Sequence, residues 1–434
     1  MTQTVSKMKK KSFSFRNALA CVIVFFGVVS CSNDKDILEI TEKAPPMKSI
    51  EKVPCTRSID EAKTIAANFL GQSTMGNVGR SNVKRAQAQP CVQVLLKDSL
   101  PDKVDVGNKY PGNLFPDTLM YAVSYVDGTV LIPADKDAPT VVGVLDTKPE
   151  SLPALLKKNN GNNPLYEVLK MAFNPDMYRL LTDKDWMKAM MPSHDKDYPV
   201  YDGEHNDDYA KRDYYLAPKI PVAWSQGNPF NNQCPLIGGQ HAVAGCVAIA
   251  VGQAMTLTGV PASLSHYRDE YLGIRNIVTA KSYKSYPEYG KKVSQLIASI
   301  GPAVGMNYGL SSSVTSDLRG AVNLFLEMGM HVSQSKKVIK RVLQKHQKGF
   351  ILVGSFPDDS NTGHCYLIDG YSYQVKKEDA TALLHVNFGW GPECNGFFLV
   401  NLFAPHFDPE RTVNSNGDAL PTYPRNWHFY CIYD

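Results

Sequence analysis

The chain has 434 residues, 43% apolar and 20% charged, an ordinary globular composition with length for two or three domains. Its 46 basic and 42 acidic side chains leave a formal net charge of +4 with no basic stripe, which argues against a nucleic-acid partner. The nine cysteines form no Cys-x-x-Cys pair and no His-Glu-x-x-His occurs, so no metal or other cofactor is expected.

Lys7, Lys9, Lys10, Lys11 and Arg16 precede an apolar run, Ala18 to Val29, of signal-peptide length and too short to span a bilayer. Val28-Val29-Ser30-Cys31 closes it, and the polar Ser32-Asn33-Asp34-Lys35-Asp36 follows. This resembles a bacterial lipoprotein signal. Residues 1–30 are then expected to be removed, Cys31 to carry lipid, and 31–55 to form a tether. The protein would be exported and membrane-anchored, in the periplasm or at the cell surface. Cys55 and Cys91 lie in the first half. Apart from Cys246, the second half holds Cys234, Cys365, Cys394 and Cys431, which allow three disulfide pairings or free buried thiols.

Ser58 and Glu61 have capping-box spacing before a helical stretch with Ala62, Ile65, Ala66, Phe69 and Leu70 on one face. Residues 72–90 read as a loop and Val92 to Leu96 as a strand. Leu119–Val126 and Thr129–Ala134 flank Asp127-Gly128, a strong hairpin signal. Val141–Leu145 reads as a strand, Leu152–Lys158 and Tyr166–Met171 as helices. Together these form a small α+β domain without a catalytic cluster. Residues 192–220, rich in proline and charge, read as a linker open to proteolysis. Beyond it, helices are expected from Cys246 to Gly259, over Lys291–Ile300 and over Thr315–Met328. Gly349–Phe356, Gly363–Tyr373 and Leu383–Val400 are strand-rich. Helices followed by an antiparallel sheet make the fold class α+β.

In GGQHAVAGCVAIAVGQAM, residues 238–255, Cys246 opens a stretch that is apolar nearly all round, which predicts a buried helix. In its first turn the helix dipole and free N–H groups favour a thiolate. The plain alternative is a core cysteine. A nucleophile also needs a base. His364, after Gly363 and at the start of a short apolar strand, is the first candidate; His385 is its rival, and His241 is near only in sequence. Asn387, on the next strand, is placed to hold the imidazole in one tautomer.

GQHAVAGCVA, GHCYLIDGY and HVNFGWGPECNGFF, in that order, resemble the streptopain family of papain-like cysteine proteases. Gln226-Gly227-Asn228-Pro229-Phe230-Asn231 is similar to the family's segment upstream of the nucleophile. Met306-Asn307-Tyr308-Gly309-Leu310-Ser311-Ser312 is similar to its substrate loop. RSIDEAKTIAANFL and GTVLIPADKDAPTVVGVLDT resemble its propeptide, so the likeness covers about residues 56 to 400. It implies an inhibitory prodomain over 56–191, an activation linker over 192–220 and a papain-like catalytic domain over 221–434. Cys246 would be the nucleophile of an exported endopeptidase made as a zymogen, and His364 its base and acid. Gln226 would be an oxyanion donor, with Gln240 as second choice. Asn387 would orient His364, Trp390 and Phe388 would shield that pair, and Tyr308, Ser311 and Ser312 would meet substrate. The family usually has tryptophan where Phe388 stands, and its glycine-rich C-terminal loop is absent. The implied partners are peptide substrates with an apolar residue just upstream of the one at the cut, the chain's own prodomain, and a membrane through Cys31. Cutting the linker, with Ala210-Lys211-Arg212 as one candidate, would free the catalytic half from the membrane unless the halves stay bound. The competing readings are an inactive surface-binding protein on the same scaffold and an acyl transferase.

Overall fold

A computed structural model of the protein describes residues 55–72, 89–100, 115–126, 128–158, 163–173, 214–267, 287–335, 340–357, 363–375, 380–403 and 425–434. The signal-like segment, Cys31, most of the tether and the linker before residue 214 lie outside them. Among the described residues no helix is long and apolar enough to cross a membrane.

The first half builds outward from α1 (Ile59–Gln72). Its capping box forms as the spacing predicts: Glu61 accepts from the Ser58 N–H at 2.6 Å, and Ser58 Oγ accepts from the Glu61 N–H at 3.2 Å. Four antiparallel strands follow in chain order, β1 (Cys91–Leu96), β2 (Thr118–Tyr125), β3 (Gly128–Pro133) and β4 (Gly143–Leu145). β2 and β3 pair from Tyr125↔Gly128 outward, at the expected hairpin. Two short helices close this half. In α2 (Leu152–Lys157) Ser151 caps the first turn; before α3 (Pro164–Ala172) the buried Asn163 caps two N–H groups and donates to the Leu155 carbonyl.

The second half opens with β5 (Tyr214–Leu216), which pairs with residues 371–373 further on, and a two-strand hairpin, β6 (Leu236–Ile237) and β7 (Gln240–His241). The helical part follows: α4 (Cys246–Thr258), α5 (Pro287–Ala303) and α6 (Arg319–Glu327). α4 is buried on nearly every face, as its apolar run requires. Gly252 lets α5 come close: a Cβ there would lie 2.5 Å from Ile297 Cδ1. The remaining elements are β8 (His331–Ser335), α7 (Lys340–Lys345), β9 (Phe350–Pro357), β10 (His364–Val375), β11 (Ala380–Asn387), β12 (Gly396–Leu399) and β13 (Arg425–Tyr433).

One antiparallel sheet runs through both halves in the order β1-β2-β3-β4-β12-β11-β10-β9-β13-β8. The joint is β4 on β12, with Gly396↔Leu145 and Phe398↔Gly143. The sequence reading separates 56–191 as a domain of its own. The structure joins its strands β1–β4 to the sheet of the second half, because glycines on both strands allow backbones to meet: a Cβ on Gly396 would lie 2.3 Å from the Val144 carbonyl oxygen. Of the alternatives left open for the cysteines, the structure shows free thiols at all seven described positions, so none of the three pairings forms.

Candidate active site

Cys246 is the first residue of α4, as its sequence predicts, and is half-buried. Gly245 caps the helix at φ 85°, a left-handed conformation that glycine tolerates. A Cβ there would also lie 2.5 Å from Met306 Sδ. Burial pushes the Cys246 thiol up, while the backbone N–H groups of Cys365, Val247 and Cys246 itself pull it down. The Cys365 N–H is on β10, one residue after His364, so the sulfur sits against the start of that strand.

His364 donates Nε2–H to the Phe388 carbonyl at 2.8 Å. A carbonyl oxygen only accepts, so in the neutral ring Nε2 carries the hydrogen and Nδ1 the lone pair. Asn387, expected to pair with the imidazole, bonds to other groups. Its amide donates to the Val222 carbonyl at 2.8 Å, and its oxygen accepts from Gln253 Nε2 and the Gly389 N–H. Asn387 thus fixes the backbone just past Phe388, whose own N–H donates to Asn395 Oδ1 at 3.0 Å. Trp390 is edge-on to the imidazole at 6.4 Å between ring centroids, and Phe388 lies at 6.4 Å, nearly parallel.

The other histidines are decided by their surroundings. His385 is buried, with both ring nitrogens on carboxylates, Asp369 at 2.5 Å and Asp146 at 3.0 Å. His241 is on the exposed hairpin, its Nδ1 bonded with the Cys234 carbonyl.

Gln226 is half-buried, and its carbonyl accepts from the Ala244 N–H at 2.9 Å, two residues before Cys246. Gln240 is exposed on β7. The 306–314 loop abuts the residues leading into α4. Gly309 O accepts from the Val243 N–H, and Ser313 Oγ donates to the Val243 carbonyl. Ser311 and Ser312 are exposed on this loop. Tyr308 turns its hydroxyl inward, over Gly301 and towards the Cys234 thiol, and burial with that thiol pushes it up to about 12. Its hydroxyl is therefore directed into the core.

Residues 224–398 match the model of the Peptidase C10 family. This part of the chain is similar to a Peptidase C10 domain. The streptopain-family resemblance read from its motifs is borne out there. The thiol protease/hemagglutinin PrtT of Porphyromonas gingivalis is 30% identical over 217 residues, 43% of this chain and 24% of that protein. Streptopain of Streptococcus pyogenes is 27% identical over 229 residues, 42% of this chain and 54% of that one. The chain thus spans about a quarter and about half of these relatives' lengths. A prointerpain A fragment from Prevotella intermedia aligns at a TM-score of 0.45 and 15% identity, over 79% of this chain and 98% of that one.

Sequence reasoning missed three supports of the candidate site. Gln253, one polar residue in the apolar α4 run, accepts from the Trp224 N–H and donates to Asn387, tying the cysteine helix to the strand end beside the histidine. Its polarity inside that run was the available signal. The Phe388 carbonyl had none, since a backbone acceptor is invisible in sequence, and the Asn395 side chain gave none because its partner is a backbone N–H.

Proposed function

We propose that this chain is the precursor of an exported cysteine endopeptidase. The observation that carries the reading is the pairing of Cys246, at a helix N-terminus, with the start of the strand bearing His364, whose Nδ1 holds the lone pair. Burial alone disfavours a thiolate, so ionisation requires transfer of the thiol proton to His364 Nδ1, giving a thiolate–imidazolium pair. The thiolate attacks the peptide carbonyl. The oxyanion is met by the Cys246 N–H and by Gln226, which the Ala244 bond keeps beside the cysteine. Gln240, exposed on its hairpin, is the weaker donor. His364 gives the proton to the leaving amine, then takes one from the water that releases the acyl-enzyme.

Orientation of His364 rests on the Phe388 carbonyl, with Asn387 acting through that backbone. Trp390 and Phe388 shield the ring. Ser311 and Ser312 border the substrate, which carries an apolar residue just upstream of the one at the cut. Residues 56–191 act as inhibitor, and lipid on Cys31 holds the precursor at a membrane. Activation cuts the chain before Tyr214, because β5 and the Lys219 and Ile220 N–H groups, both bonded to Asp369, belong to the catalytic half. The shared sheet means that the cut and the release of the catalytic half are separate steps.

The test compares residues 32–434 with the same chain carrying Cys246→Ser. The unmodified chain should shorten on incubation and take one epoxide adduct, on Cys246. Absence of an adduct even after trypsin opens the linker overturns the reading.

A further inference from the structure

His385 lies on β11, opposite Gly370 of β10, and is 3% exposed. Its Nδ1 is 2.5 Å from Asp369 Oδ1, and its Nε2 is 3.0 Å from Asp146 Oδ2. Asp369 is fully buried in the catalytic half, and its other oxygen accepts from the Lys219 and Ile220 N–H groups at 3.0 and 2.7 Å. Asp146 belongs to the first half, directly after β4, and its N–H donates to the Asn395 carbonyl. An ionised carboxylate only accepts, and a neutral imidazole has a single N–H. Both bonds therefore require the imidazolium.

Among the described residues the remaining neighbours do not supply another charge to this bridge. From β12, the Phe397 ring packs 4.9 Å from the imidazole. From β5, burial and the two aspartates push the Tyr215 hydroxyl up to about 12, which keeps it neutral. Lys219 feels Asp369, but its ammonium donates to the Leu343, His346 and Gly349 carbonyls. Burial pulls His385 down, and Asp146 and Asp369 outweigh it, pushing it up to about 10.

We propose that His385 is a proton-controlled latch, whose imidazolium ties Asp146 of the first half to Asp369 of the catalytic half and retains the first half after the linker is cut. The proposal rests on the reading of residues 56–191 as a removable prodomain. Once Asp146 leaves, one N–H suffices for Asp369, and the ring is free to become neutral. Separation of the halves thus releases a proton and is favoured as pH rises towards 10. One linked proton sets the limit at about a tenfold weaker association per pH unit. Among the described residues Lys158 and Glu393 also pair across the joint, both exposed to solvent, where an ion pair contributes little.

The test uses the chain carrying Cys246→Ser, with a site-specific protease sequence inserted after Arg212. After the cut, the dissociation constant of the halves is measured by gel filtration from pH 6 to 9, in a fixed urea concentration that brings separation into range. The wild-type bridge should weaken several-fold to tenfold per pH unit over part of this range. Asp146→Asn should flatten the dependence, since an amide pairs equally with a neutral ring; His385→Gln should do the same. A flat wild-type profile, or an unchanged slope in Asp146→Asn, overturns the latch. So do halves that separate only on global unfolding, at one urea concentration throughout. None of these outcomes depends on catalysis, so failure of the protease reading shows separately, as a missing Cys246 adduct.

Discussion

Gly245 does two things that a larger residue cannot do together: it takes φ 85° and it leaves room for Met306 and Ser313. Gly245→Ala should cost about 1–2 kcal/mol for the left-handed backbone, read as a lower urea midpoint, and should lower activity more than tenfold by displacing Cys246. Full activity in a folded Gly245→Ala protein refutes that geometry. Asn387 makes a different case. Its amide holds Val222, Gln253 and Gly389 rather than the imidazole. Asn387→Ala should therefore destabilise the precursor by about 1–3 kcal/mol, the cost of unpaired buried groups. The His364 tautomer, read from its ring nitrogen NMR shifts, should stay Nε2–H. A change of tautomer would restore Asn387 as the direct orienting group.

At the scale of elements, the β4–β12 pair decides how the halves are joined. A Cβ on Gly396 meets backbone, Val144 O at 2.3 Å and Leu145 Cα at 2.9 Å, so no rotamer relieves it. Gly396→Ala should speed amide exchange across β4 while leaving α4 protected; equal protection of both in the variant contradicts the joint. β5 makes the second prediction at this scale. It pairs with β10 from Tyr371↔Leu216 to Tyr373↔Tyr214 and precedes the bonds of Lys219 and Ile220 to Asp369. N-terminal sequencing of the processed form should find it starting at or before Tyr214. A start beyond Ile220 would mean that these contacts are dispensable.

For the whole molecule, His385 links stability to pH. Its pKa is about 10 in the folded chain against an ordinary 6.5. A raised value stabilises the protein fully below pH 6.5, and that contribution is lost as pH rises through about 10. The uncut Cys246→Ser chain should show a urea midpoint that falls steadily from pH 6.5 to 9. Asp146→Asn should start lower and fall less, because its ring gains less from protonation. Parallel profiles for the two proteins would separate the pH dependence from His385.

What the sequence determined by itself was local or chemical. The Ser58 and Glu61 capping box, the hairpin at Gly128 and the Cys246 helix between two glycines all depend on neighbours within a few residues. The order of the Cys, His and Asn motifs carried the streptopain-family resemblance. Tertiary structure decided the rest, because the partners lie far apart in the chain. α6 begins at Arg319 rather than Thr315, β13 exists as a strand because β9 offers it an edge, and β8 pairs on the far side of β13. The motifs put His364 ahead of His385, and their surroundings separate them physically: one ring lies at the cysteine's strand, the other between two carboxylates. The joining of the halves into one sheet, and the histidine that bridges them, rest on Asp146 meeting residues more than 200 positions away. Side-chain pattern encodes which face of a strand is buried, but not which distant strand will complete it.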